Sequence, residues 1–248
     1  MLTSLYSFHL GGPDECAQQT YVLAARAGLT ELSRLVFIAD GAEWIWKRAM
    51  RYFPGAIQIL DWYHAVEHLA DAIKTCVMAE LAGSPTQADK KMAAEKLRNE
   101  KEIQALYEQL YEQKLETAKS LMWDGEVSKL LSFLKRLPGN MANKSLADSS
   151  TSPDVKECVR KTVQYFHNNR KRMRYDEYRE RGFRIGSGSM ESACKQVVTT
   201  RLKGAGMRWS DSGAQAMGHL RALFLSDDPW KEVVGNWPGR GCVAVPSC

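Results

Sequence analysis

The chain has 248 residues, 44% hydrophobic and 25% charged, which is an ordinary globular composition with room for one sizeable core or a core carrying an inserted subdomain. No apolar run approaches the roughly 18 to 20 residues of a membrane span, and the apolar start Met1–Leu10 carries neither Lys nor Arg nor a small-residue cleavage pattern, so no membrane segment or secretory signal is expected and the cytoplasm is the expected location. The net charge of +5 permits a nucleic-acid partner without arguing strongly for one.

Leu5–Leu10 (LYSFHL) is short, apolar and aromatic, and predicts a strand that Gly11-Gly12-Pro13 breaks. Asp14 can cap a helix over Glu15–Ala27, with Gly28 ending it. Leu35–Ala39 is a continuous apolar run, the pattern of a strand buried on both faces, and it stops at Asp40-Gly41. Glu43–Tyr52 reads as a helix, Phe53-Pro54-Gly55 as a turn, and Ala56–Leu60 as a second buried strand that stops at Asp61. This strand and helix alternation is α/β, and both later strands finish in an aspartate, at the end where parallel sheets place their sites.

From Ala65 to Arg181 helix formers dominate, over 78–81, 88–122 and 126–137, with Leu97, Leu106, Leu110 and Leu115 at helical spacing. Residues 138–153 are a loop by composition, and Pro153-Asp154 restarts a helix that reaches the basic run Asn168–Arg184. Gly186-Ser187-Gly188-Ser189 is a break, Ser189 can cap a helix from Met190 to Lys203, and a last helix spans Asp211–Leu225. The tail from Gly235 has no periodicity and is expected to be disordered. The cysteines at 16, 76, 158, 194, 242 and 248 form no Cys-x-x-Cys pair and have no zinc-finger spacing, so they are expected to be free thiols in a reducing compartment.

Three acidic positions stand out from this layout. Asp40 and Asp61 end adjacent buried strands, and Glu191 opens a helix after a glycine-rich hinge. Carboxylates converging at one sheet edge can hold two Mg²⁺ ions roughly 3.5 to 4 Å apart, the arrangement that drives in-line attack on phosphate. Spacing alone does not bring them together, and an aspartate after a strand also serves as a plain turn residue. Trp44, Trp46, Trp62 and Tyr63 flank these positions, either as core or as a platform for a flipped base.

Two blocks carry a resemblance. Phe37–Leu69 (FIADGAEWIWKRAMRYFPGAIQILDWYHAVEHL) and Gly182–Met217 (GFRIGSGSMESACKQVVTTRLKGAGMRWSDSGAQAM) resemble, in order, the middle and glutamate segments of Mutator-like bacterial DDE transposases of the Kra-type insertion-sequence group. The resemblance implies an α/β, RNase H-like core, here partial, interrupted by a large all-helical insertion. It implies residues 1–64 as the first part of the core, 65–181 as the insertion, 182–230 as core helices carrying the glutamate, and 231–248 as a tail. Asp40 and Glu191 match the second and third catalytic carboxylates, with Mg²⁺ or Mn²⁺ as cofactor. Asp61 and His64 match a signature of cysteine or aspartate, two intervening residues and then histidine, which shapes the site; a different alignment makes Asp61 itself catalytic, and His64 also reads as a helix-start residue bonded to backbone.

Lys195, four residues after Glu191, either contacts a phosphate or forms an i,i+4 ion pair, and Arg201 and Lys203 follow along the same segment, where they can track DNA. The run Arg170–Arg174 is either a DNA track or a solvated helix face. The implied activity is metal-dependent cleavage and strand transfer at transposon ends by a DNA-bound homo-oligomer at the nucleoid. The chain departs from that pattern at its start: Asp14 is the one aspartate before Asp40 and lies in a predicted loop. The expectation is therefore of an N-terminally truncated transposase without its first catalytic aspartate, inactive as written, or of a remnant that binds DNA or inhibits an intact transposase.

Overall fold

The computed structural model describes residues 4–29, 34–82, 93–137 and 153–226. Helices dominate it, and its α/β character rests on a two-stranded parallel sheet. In chain order the elements are α1 (Pro13–Arg26), β1 (Val36–Ala39), α2 (Glu43–Tyr52), β2 (Ile57–Leu60), α3 (Trp62–Ala82), α4 (Ala93–Trp123), α5 (Val127–Arg136), α6 (Pro153–Asn169), α7 (Tyr175–Glu180), α8 (Gly188–Cys194), α9 (Thr200–Leu202) and α10 (Asp211–Leu225), with a 3₁₀ turn at Arg170–Arg172 and a π turn at Lys195–Thr199. The chain divides into two compact units: one holds 1–35, 47–56 and 188–248, the other 36–46 and 57–187.

In the second unit β1 and β2 pair in register from Val36 opposite Ile57 to Ala39 opposite Leu60. The continuous apolar runs predict both strands, but burial on both faces is reached only at Ile59 and Leu60 of β2, while β1 is partly buried throughout. Ile59 and Leu60 are fully buried, and α3 adds Leu69, Ile73 and Val77, one turn apart on one face, to the same core. Helices from the long helical segment close over it: Met122 from α4, Leu130 and Leu134 from α5, Phe166 from α6, and Tyr175 from α7 belong to that core too. Of the predicted leucine stripe on α4, Leu110 and Leu115 pack on the core, while Leu106 is exposed and the side chain of Leu97 lies outside the described residues. Inside this unit Lys114 of α4 meets Glu80 of α3 at 2.5 Å, a pair with little solvent access that crosslinks the two helices.

The first unit corrects one expectation. Residues 5–10 form no strand. Their apolar side chains dock on α10 instead of pairing backbone to backbone: the Phe8 ring covers Gly218, the Tyr6 N–H donates to Ser226 Oγ (2.9 Å), and the Leu10 N–H donates to Gln215 Oε1 (2.6 Å). The strand–helix order thus holds two strands among the described residues where three were expected.

Helix boundaries also shift. α1 is capped by Gly12, not Asp14, with Pro13 in its first turn, where the fixed φ suits a helix and the missing N–H costs nothing. α8 begins at Gly188 rather than Met190. Of the predicted loop 138–153, residues 138–152 lie outside the described residues, as does the tail from Gly235, and Pro153 opens α6. The described cysteines 16, 76, 158 and 194 are free thiols, and no described helix is long and apolar enough to cross a membrane.

Candidate functional site

Asp40 and Asp61 sit side by side where the two parallel strands end: Asp61 N–H continues the ladder by donating to Ala39 C=O (2.8 Å). Their environments differ. Asp61 is 2% exposed and both its carboxylate oxygens are engaged. Oδ1 accepts the N–H of His64 (3.0 Å), which makes Asp61 the N-cap of α3, and Oδ2 accepts the N–H of Ser187 (2.5 Å). The neighbouring Trp62 N–H donates to Ile185 C=O (2.9 Å), so the stretch before Gly188 is bound to the start of α3 at two points. Gly186 allows this approach: a Cβ there would lie 2.6 Å from the Tyr63 ring.

Asp40 is exposed. Its Oδ1 accepts the N–H of Ala42 (2.9 Å), and among the described residues Oδ2 has no partner. Its backbone C=O accepts the hydroxyl of Tyr165 on α6 (2.7 Å). Gly41 has φ +96°, and a Cβ there would lie 2.8 Å from both Leu60 and the Tyr165 ring, so only glycine fits after Asp40.

Strand β2 is fastened in the same way. The outward carbonyl of Leu60 accepts the Tyr175 hydroxyl (3.0 Å), and that of Gln58 accepts the Tyr178 hydroxyl (3.3 Å). Burial pushes the Tyr165 and Tyr175 phenols up, with Asp40 and Asp61 adding to the rise at Tyr165, so both remain protonated donors. These tyrosines escape a sequence reading, since no local pattern marks a phenol that meets a carbonyl more than a hundred residues away.

His64, at the start of α3, donates its backbone N–H to Asp61 while its Nδ1 lies 3.3 Å from Glu67 Oε2. One turn on, the His68 ring lies edge-on to His64 (centroids 5.1 Å apart) and packs at a 32° tilt against the Tyr165 ring (4.0 Å). Burial, then His64, lowers the pKa of His68, against the pull of Asp71, Glu67 and Asp40. His68 is a second residue that the sequence reading passed over.

Much of the basic run is committed to structure. Arg172 lies over the Trp46 ring (4.4 Å) and donates to Gln58 Oε1 (2.8 Å), Arg174 pairs with Glu177, and Arg179 covers Trp123 (3.8 Å). Among the aromatics, Trp46 is buried and Trp62 packs edge-on against Trp123 and Tyr175, whereas Trp44 and Tyr63 are exposed.

Glu191, Lys195, Arg201 and Lys203 belong to the other compact unit. All four are exposed along Gly188–Lys203, and Glu191 and Lys195 form no ion pair with each other. A π turn over Lys195–Thr199 interrupts this helical stretch, with the Thr200 hydroxyl donating to Lys195 C=O (2.8 Å). Arg221 of α10 donates to Gln196 C=O (3.2 Å) and anchors the π turn.

Among the described residues no three His, Cys, Asp or Glu side chains gather as a metal site. Asp40 and Glu191 taken singly are exposed carboxylates, the oxygen donors that Mg²⁺ or Mn²⁺ takes. No protein-family model, no curated protein and no solved structure matches the chain.

Proposed function

We propose that the chain is part of a DDE transposase of the Mutator-like insertion-sequence group, in which the paired strands belong to an RNase H-like core and the segment 65–181 is its helical insertion. The observation that carries this reading is the pair of aspartates closing adjacent parallel strands: one exposed with a free carboxylate oxygen, the other spent on holding the segment that leads to Glu191. Asp40 and Glu191 would hold the metal; a bound Mg²⁺ or Mn²⁺ supplies the Lewis acidity for attack of water or a 3′ hydroxyl on a phosphodiester. Asp61 and His64 shape the strand ends rather than bind the ion. The exposed Lys195, Arg201 and Lys203 contact DNA phosphates, and the active form is a homo-oligomer on DNA at the nucleoid.

One observation favours a second reading, a DNA-binding remnant that does not cut and that can inhibit an intact transposase. Asp14, the aspartate ahead of Asp40, is held by Arg48, with Oδ1 and Oδ2 at 3.2 and 3.0 Å from its guanidinium, which lowers the Asp14 pKa. Its carboxylate is tied up in an ion pair on a helix rather than offered from a strand.

The test is a plasmid-nicking and strand-transfer assay with Mg²⁺ or Mn²⁺, run beside a DNA-binding assay. Metal-dependent nicking that disappears in Asp40→Asn and Glu191→Gln, with DNA binding kept, supports the enzyme. Binding without nicking moves the chain to the second reading. Nicking retained by both variants removes the assignment.

A further inference from the structure

We propose that the cavity between α1, α10 and the segment 5–10 is a nucleotide site, which takes a planar base together with its 5′-phosphate, either as a free nucleotide or at the end of a DNA single strand. The inference goes beyond the proposed function and uses none of its metal ligands. The cavity has a volume of about 530 Å³, the size of a small-ligand site, and every residue that lines it belongs to the first compact unit. It lies where helix packing would be expected. α1 is 14 residues long and has no buried residue, and a helix of that length has little stability by itself. Val22, on the cavity wall, is 42% exposed, so α1 turns apolar surface toward open space that a ligand can fill.

The lining groups of α1 follow the order of a nucleotide's parts. Gln18 and Gln19, then Val22 and Leu23, then Arg26 take successive turns of the helix, and all of them line the cavity. Among the described residues the two glutamine side chains have no hydrogen-bond partner. An amide offers donors beside an acceptor, which matches the donor and acceptor edge of a base. The apolar strip is one helical turn deep: Val22 and Leu23 share the cavity with Ala222 and Leu223 of α10. That depth suits a flat ring and is too short for a hydrocarbon chain, which would also cover the glutamine amides without pairing them. Phe8, seated over Gly218 and edge-on to His219 (centroids 6.3 Å apart), adds an aromatic wall. Arg26 follows Val22 by one turn, about 6 Å along the axis, which places a guanidinium for a phosphate one sugar away from the base.

The experiment titrates the full chain with dAMP and with deoxyadenosine by calorimetry, in excess chelator so that no metal contributes, and follows the melting temperature alongside. The variants are Arg26→Ala and Val22→Trp; Val22 is exposed enough to take the larger ring, which then occupies the slot. The expected result is that both probes bind and raise the melting temperature. Arg26→Ala should lower the affinity for dAMP about tenfold and leave that for deoxyadenosine unchanged, and Val22→Trp should abolish both. A 5′-phosphorylated single-stranded oligonucleotide that displaces dAMP identifies a DNA end as the source, and one that leaves dAMP bound identifies a free nucleotide. Absence of binding by either probe, or binding that survives Val22→Trp, overturns the inference. Equal falls for the two probes in Arg26→Ala overturn the placing of the phosphate at Arg26. The nicking assay on Asp40 and Glu191 stands apart from every one of these outcomes, because neither residue lines the cavity.

Discussion

The strand ends at Asp40–Asp61 and the helical stretch Gly188–Lys203 carry the two halves of the candidate chemistry, and they are built in opposite ways. Around the strands the backbone is fastened from outside: Tyr165, Tyr175 and Tyr178 bond to the carbonyls of Asp40, Leu60 and Gln58, and Asp61 gives both oxygens to backbone N–H groups. Along Gly188–Lys203 the acidic and basic side chains are exposed, and the helix contains a π turn. A ligand that is already satisfied by protein has little left to offer, whereas an exposed carboxylate or ammonium without a partner is free to meet an ion or a phosphate. Buried hydrogen bonding is thus concentrated in the first region and exposed charge in the second, with Asp40 combining a fixed backbone and an exposed carboxylate.

The largest expected effect sharpens that separation. On the proposed reading as a nuclease, Glu191→Gln and Asp40→Asn should each lower metal-dependent nicking by about a thousandfold, or about 4 kcal/mol of barrier. Both should leave unfolding stability within about 0.5 kcal/mol, as for exposed side chains away from the core. Urea titration of the same preparations checks this, and a stability loss above about 1 kcal/mol in Glu191→Gln would mean that its helix is held by contacts that its exposure hides.

Asp61→Ala is the converse. It removes the cap of α3 and leaves two backbone donors without their acceptor in a buried place, at a cost of about 3 kcal/mol. Asp61→Asn should fall between it and wild type, because an amide offers one acceptor where two are used. A wild-type urea midpoint for Asp61→Ala would mean that Asp61 is kept for ligand binding and not for the clamp.

Next in size is Tyr175→Phe. It leaves the Leu60 carbonyl buried and unpaired, which should cost about 1 to 2 kcal/mol. Tyr178→Phe should cost less, since its hydroxyl is shared between two carbonyls at 3.3 Å each. Reversal of that order in denaturant melts would show that the ring, and not the hydroxyl, does the fastening.

The sequence made the strand ends visible and hid what fastens them. Val36–Ala39 and Ile57–Leu60 are largely apolar and stop at aspartates, so both strands could be read directly, whereas spacing alone did not bring Asp40 and Asp61 together. Leu5–Leu10 has the same composition but docks on α10, because burial can be satisfied by a helix face as well as by a sheet and composition does not distinguish the two. The tyrosine hydroxyls could not be read at all. Tyr175 and Tyr178 lie inside a run whose arginines suggest DNA, yet Arg172, Arg174 and Arg179 are turned to Trp46, Glu177 and Trp123, and the tyrosines between them face the sheet. Long-range pairing of this kind leaves no local periodicity.

The smallest expected effect tests how tightly the fastened region is packed. His68 is half-buried against Tyr165 and its pKa is lowered, first by burial and then by His64. Glu67 and Asp71 on α3 and Asp40 at the end of β1 oppose the shift without cancelling it, and Tyr165 from α6 faces the ring as a neutral phenol. The folded chain therefore takes up the His68 proton at lower pH than the unfolded chain does. Above the ordinary histidine value of about 6.5 neither form is protonated and His68 adds no pH dependence. As pH falls below that value the unfolded chain binds the proton first, so stability declines until the lowered folded pKa is passed, and then levels off. Melting temperature followed from pH 8 to pH 5 should show this shallow decline below about 6.5, superimposed on the carboxylates' own contribution. In His68→Phe, which keeps a ring against Tyr165 and has no proton to take up, the histidine part of the decline should vanish. An unaltered profile in that variant would mean that His68 opens to solvent readily, and that Tyr165 is held less firmly than the close ring contact implies.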